Sequence, residues 1–219
     1  MNIMNIQNCL GHITDKIYLI NNNLCTSPFL KNINHKYGHC KGVVFDEFNA
    51  QSYFVDVMND DSEYVYNCHY RRSLILPSKF KLTPKTIICN GSDRGVNLLK
   101  LTKTFIFNEA ILKKHPDLIR KIFLIYSEVL NILYEDVEEI FRYQMFNSKE
   151  IYICHKDVQV ELVQKTYEFI QKLCETFDED VLNTRRCVGF LIEGFISSFF
   201  ALKRSQEGYL IKYTNIRGM

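Results

Sequence analysis

The chain has 219 residues, of which 47% are hydrophobic and 24% charged, and its formal net charge is +2. That length supports one large domain or two small ones with a workable core. A near-neutral charge whose basic residues are scattered leaves no electrostatic footprint for nucleic acid or an acidic membrane surface.

The first 39 residues carry no clear pattern, although Lys16–Ile20 is a candidate strand. Met1–Lys16 has neither a basic n-region nor a continuous apolar h-region, so no secretory signal is expected. The eight cysteines are accordingly expected to be reduced thiols in a cytosolic or nuclear compartment and not a disulfide scaffold. From residue 40 to 107, short β-rich runs lie between turn residues: Gly42–Phe48, Ser52–Met58, Glu63–His69, Ser73–Leu76, Lys85–Cys89 and Leu98–Phe107. Asn59-Asp60-Asp61-Ser62 and Asn90-Gly91 are strong turn signals. The fold class expected is α+β, with an antiparallel β unit over residues 40–107 inside a β-rich N-terminal region of residues 1–107.

Near Asn108 the apolar period becomes helical. Pro116 suits a first helical turn, and Leu118, Ile122, Ile125, Val129 and Ile132 then recur at helical spacing. Tyr134–Phe146 continues the pattern, with Val137, Ile140, Phe141 and Met145 on one side and Glu135, Asp136, Glu138 and Glu139 on the other. A further helix over Lys156–Thr176 presents Val163, Tyr167, Ile170 and Leu173. The last long helix, Val181–Lys203, is apolar on every side from Cys187 to Leu202 except for Glu193, and Tyr209–Tyr213 is a final short element. A helix of this kind must be covered all round. It is shorter than the roughly 20 apolar residues of a membrane span and has arginines before it and Lys203-Arg204 after it, so it is expected to be the buried centre of a helical bundle over residues 108–219.

Chemistry-bearing motifs are sparse. His35, His39 and Cys40 lie close together, but no Cys-x-x-Cys accompanies the single His-x₃-His pair, so no metal site is expected. His39-Cys40, Cys68-His69 and Cys154-His155 are sequence neighbours, which in strands point to opposite faces and make poor nucleophile–base dyads. Asn90-Gly91-Ser92-Asp93-Arg94-Gly95 lacks the glycine and lysine spacing of a P-loop. Catalytic residues and cofactors are therefore expected to be absent. An uncharacterised hydrolase or a zinc-dependent enzyme on the β unit, or a structural viral assembly protein, is the alternative.

The segment Phe177–Gly194, FDEDVLNTRRCVGFLIEG, resembles the BH1 region of the Bcl-2 family: Val181, Asn183, Arg186, Val188, Gly189, Phe190 and Gly194 fall on that pattern without a gap. Thr184 and Arg185 stand where the family has Trp and Gly, and Arg185 brings a long side chain to where a ligand helix would approach. Trp is absent and Ala50, Ala110 and Ala201 are its alanines, while Ile, Asn, Lys, Phe and Tyr abound, as in AT-rich viral genomes. Together these features look like the divergent Bcl-2-like proteins of poxviruses. The resemblance implies a non-enzymatic viral protein of the host cytoplasm. It would bind host signalling or cell-death proteins to suppress innate immunity or apoptosis, with a homodimer as one arrangement and no membrane span. Its expected partner-binding residues are Asn183, Arg185, Arg186 and Glu193 at the groove, and Glu135, Glu138 and Glu139 on the acidic face.

Overall fold

A computed structural model describes residues 17–21, 63–68, 72–76, 82–90, 106–143, 151–184 and 187–218. Its strands are β1 (Ile17–Asn21), β2 (Tyr64–Cys68), β3 (Arg72–Leu74), β4 (Thr86–Asn90), β5 (Tyr152–His155), β6 (Leu210–Thr214) and β7 (Ile216–Gly218). Its helices are α1 (Glu109–Lys114), α2 (Leu118–Leu130), α3 (Tyr134–Tyr143), α4 (Lys156–Thr176), α5 (Glu179–Leu182) and α6 (Cys187–Glu207). The fold is α+β, as the sequence predicts, and the helix predicted over Lys156–Thr176 is α4.

The expected antiparallel unit is corrected. The main sheet has the order β1-β2-β5-β4-β6, in which β1 and β2 are parallel, β4 and β6 are parallel, and β5 is antiparallel to both of its neighbours. Four strands thus run one way, and one from beyond residue 107 runs against them in the middle. The physical reason is burial on both faces. Strands covered on both sides read as apolar runs without alternation, which hides their direction and makes a short one such as Tyr152–His155 easy to overlook. The candidate strands Gly42–Phe48 and Ser52–Met58 lie outside the described residues, as does most of Leu98–Phe107.

Alternate residues of the sheet feed two cores. Ile87, Cys89, Tyr152 and Cys154 face the helices, whereas Tyr64, Tyr66, Ile88, Ile151 and Ile153 form a smaller cluster with Leu74 on the other face. That second face is covered by the small antiparallel sheet β3-β7, and the Leu74 amide donates to the buried Tyr66 hydroxyl at 2.8 Å.

Among the helices, α2 ends where Asn131 takes the left-handed conformation (φ 54°) and its N–H returns to the Ser127 and Glu128 carbonyls. This cap separates α2 from α3, where the apolar pattern alone reads as continuous. In α6 the apolar surroundings differ side by side. Tyr126 of α2 and Phe169 of α4 pack on Phe195, and Tyr152 of the sheet meets Phe200 edge-on with ring centroids 5.0 Å apart. The helix therefore lies between other helices and a sheet. Gly208 (φ 71°) then turns the chain into β6, and the Leu210 amide donates to the Lys85 carbonyl at 2.9 Å.

The end of α6 is clasped by Lys203. Its buried ammonium donates to Glu161 and Glu207, each at 2.6 Å, and lies near the rings of Phe199 and Tyr209. Burial alone would lower its pKa, but its hydrogen bonds to the two carboxylates and their charges outweigh that effect and raise it. We expect Lys203→Ala to cost about 2 kcal/mol in urea denaturation, with Lys203→Met recovering about half through its packed stem. Since the folded pKa lies above the unfolded one, the electrostatic part is fully present below about pH 10.4 and disappears only as pH rises through the folded value.

Candidate functional site

Open sheets with parallel strands bind ligands beyond the carboxyl ends of those strands. Here β1, β2, β4 and β6 all end on the same edge. Register places Asn21 beside Cys68 and Asn90 beside Thr214, and the Asn90 amide donates to the Ile151 carbonyl at 3.1 Å. One row further in, Asn67 stands opposite Tyr152 and shares its face. Asn67 and Asn90 are both buried, at 1% and 5% exposure.

The helix α6 runs across the sheet with its N-terminal half toward this rim. Its end sits at the opposite edge of the sheet, where the Lys85 ammonium donates to the Glu207 carbonyl at 3.0 Å, and Phe200 lies level with Tyr152. Glu193 precedes Phe200 by two helical turns, so it lies on nearly the same stripe and about 10 Å further out. The stripe of α6 that touches the sheet at Phe200 therefore runs on to Glu193 in the direction of the carboxyl rim. Glu193 is half-buried, and its backbone carbonyl accepts the Ser197 hydroxyl at 2.9 Å.

On the far side of the same helical turn, Tyr126 donates its hydroxyl to the Leu191 carbonyl at 2.7 Å. Its ring meets Phe169 edge-on at 4.7 Å and is tilted against Phe195 at 5.5 Å. A Cβ on Gly194 would come within 3.1 Å of the Tyr126 hydroxyl, so a glycine there leaves room for the bond.

A second concavity lies between the α1–α2 turn and the α4–α5 corner. This cleft of about 230 Å³ is lined by Lys114, His115, Lys121, Phe177 and Asp178 among others. The Lys114 ammonium pairs with Asp180, and His115 Nε2 lies 3.7 Å from the same carboxylate. With charges of both signs already paired at its wall, the cleft is the weaker site.

The residues expected to bind partners are carried by different elements. Asn183 caps α5, is exposed, and donates to Glu179 at 3.1 Å. Arg185 and Arg186 lie outside the described residues. Glu135, Glu138 and Glu139 are on α3, which packs against α2, and Glu135 and Glu139 are exposed. Of these residues the architecture singles out Glu193, and it adds Asn67, which shares the helix-covered face with Tyr152 and which sequence reasoning missed. Asn90 and Thr214 lie on the opposite face, where the Thr214 hydroxyl donates to the Ile75 carbonyl. His35, His39 and Cys40 are outside the described residues. Among the described residues no helix is long and apolar enough to cross a membrane.

No family model matches the chain, and no curated protein matches it. Among solved structures it is similar to the bifunctional glycosyltransferase WbbM in its apo form, with a TM-score of 0.52 and 13% identity. The likeness covers 80% of this chain and 36% of that one, so the chain spans little more than a third of the structure it matches. The expectation of a non-enzymatic viral inhibitor of host signalling is corrected by this likeness, because the fold is shared with an enzyme. Its physical source is that apolar periodicity describes which helices must be buried, and a mixed sheet can bury them as well as other helices can. The likeness leaves the BH1 resemblance of Phe177–Gly194 untouched.

The Asp180 corner makes a pH-dependent prediction. The hydrogen bond from Lys114, together with the Lys114 and His115 charges, outweighs partial burial and holds the Asp180 carboxyl below its usual range. A lowered folded pKa contributes above the unfolded value and is lost as pH falls through the folded one. Asp180→Asn should therefore speed amide exchange in Glu179–Leu182 at neutral pH, and the difference from wild type should close only below about pH 3.9. Equal exchange at pH 7 would show the pair to be idle.

Proposed function

We propose that the chain is a glycosyl-transferring enzyme domain whose reaction takes place at the carboxyl rim, beneath Glu193. The observation that carries this reading is the fold likeness to a glycosyltransferase over 80% of the chain. The rim fits the chemistry in outline. Glycosyl transfer breaks the bond from the sugar's anomeric carbon to a leaving group, which departs with the electron pair, and joins that carbon to an acceptor oxygen. The acceptor's proton needs a base, and the developing positive charge on the ring needs a nearby anion.

A half-buried carboxylate is suited to either task, and Glu193 is the acidic residue that α6 carries toward the rim. The buried amide side chain of Asn67, on the face that α6 covers, suits hydrogen bonding to a sugar hydroxyl. The donor class we infer is a sugar on a nucleoside diphosphate, whose leaving group is a stable anion.

The test is release of nucleoside diphosphate from a panel of UDP-, GDP- and dTDP-sugars, with and without a divalent cation and sugar acceptors. At least one donor should be turned over, and Glu193→Gln should slow that turnover by about a hundredfold. No turnover of any donor, together with no calorimetric binding of UDP, GDP or dTDP, would overturn the reading.

A further inference from the structure

The cleft between the α1–α2 turn and the α4–α5 corner lies toward the same end of the molecule as Glu193. The ion pair of Glu161 with Lys203 and the stack of Phe169 on Phe195 show that α4 and α6 run antiparallel, so the end of α4 lies beside the start of α6. Thr176, which lines the cleft, is seven residues beyond Phe169, and Glu193 is two residues before Phe195. The two places are thus separated by about 8 Å along the helix axes.

We propose that this cleft binds the sugar acceptor, a neutral saccharide whose hydroxyls are held by Asp117, Asp178 and Lys121. The ligand's role as acceptor rests on the glycosyl-transfer reading, whereas its binding is tested apart from that reading.

Three observations carry it. Asp117 and Asp178 are the N-cap residues of α2 and α5, where a carboxylate ordinarily accepts an N–H of the first turn, yet neither makes a side-chain cap hydrogen bond. Asp178 even has the extended backbone that capping uses, with φ −76° and ψ 166°. Both residues line the cleft and are exposed, as are Lys121 and Thr176 beside them.

The second observation is the balance of charge. Lys114 is engaged by Asp180, so two carboxylates face one remaining lysine. That balance repels a phosphate and leaves the donor's diphosphate no seat here. A neutral polyol is suited to it, because carboxylates accept from hydroxyls and an ammonium donates to sugar oxygens. The mixture of signs that makes the cleft a weak place for the reaction is an advantage for holding such a ligand. Thirdly, the cleft of about 230 Å³ has room for a sugar ring, and buried Leu118, Phe177 and Val181 give it apolar lining for the ring's C–H face.

The experiment follows the amides of Leu118, Thr176 and Val181 by ¹H–¹⁵N NMR. Methyl glycosides of glucose, galactose, mannose and N-acetylglucosamine are titrated in, with inorganic phosphate for comparison. At least one glycoside should shift these amides with a Kd on the order of 1 mM, and phosphate should not. Asp117→Ala and Asp178→Ala should each weaken that binding about tenfold. Since neither carboxylate caps its helix, both variants should unfold within a few degrees of wild type.

On the nucleotide sugar that the donor panel identifies, each variant should raise the acceptor KM about tenfold and leave the donor KM within about twofold. Glycosides that move none of the three amides, or that bind both variants as tightly as wild type, would overturn the proposal. So would phosphate displacing the glycoside, which would make the cleft an anion site. A wild type that binds a glycoside here but turns over no donor would keep the saccharide site and remove the glycosyl-transfer reading. Turnover of a donor with these amides unmoved would do the reverse.

Discussion

The contact between Tyr126, Phe169 and Phe195 joins α2, α4 and α6 at one point, and most of the architecture depends on it. Phe169 and Phe195 stack with centroids 4.7 Å apart and an interplanar angle of 18°. Large aromatic side chains supply much of a core's apolar burial, and their offset or edge-on arrangements add about 0.5–1.5 kcal/mol per pair. The cluster also fixes α6 relative to α4, and α4 in turn follows directly from β5, whose last residue His155 caps it. The chain of constraint therefore runs from the middle of the helical layer to the centre of the sheet. From there it reaches the rim through Tyr152.

Much of this was legible in the amino-acid pattern, within limits set by periodicity. The 3.6-residue repeat of Leu118, Ile122, Ile125 and Val129 located α2, and each of these residues is buried. The all-round apolarity of Cys187–Leu202 required a largely covered helix, and most of these residues are buried in α6, with Phe190, Glu193, Ala201 and Leu202 partly exposed. Periodicity could not say what covers it. Apolar side chains are satisfied equally by another helix or by the face of a sheet, and Phe200 found Tyr152. Strand direction was hidden for a related reason. Ile87, Ile88 and Cys89 are consecutive and all buried, so no polar face betrays how the strand is paired.

The candidate site was harder to read than the fold. Glu193 stood out as a charge inside an apolar helix, but its significance depends on the distance from Phe200 to the rim, which only the folded sheet supplies. Asn67 gave no signal by itself, because its place beside Tyr152 is set only by strand pairing. Asn90-Gly91 reads as a turn on local grounds, and it does follow the end of β4. What local grounds omit is that several parallel strands finish at that same edge.

The place of β6 in the sheet carries a consequence for how the molecule assembles. This strand pairs in parallel with β4, and the flanking contact between Lys85 and Glu207 spans 122 residues of chain. Closing so long a loop incurs its entropic cost before any pairing compensates it, and non-local parallel pairing is intrinsically slow. During synthesis, β4 leaves the ribosome with one neighbour still untranslated until α6 has been made. Nascent chains halted before Leu210 should therefore hold an incomplete sheet with an open strand edge, and be protected by chaperones or lost to aggregation.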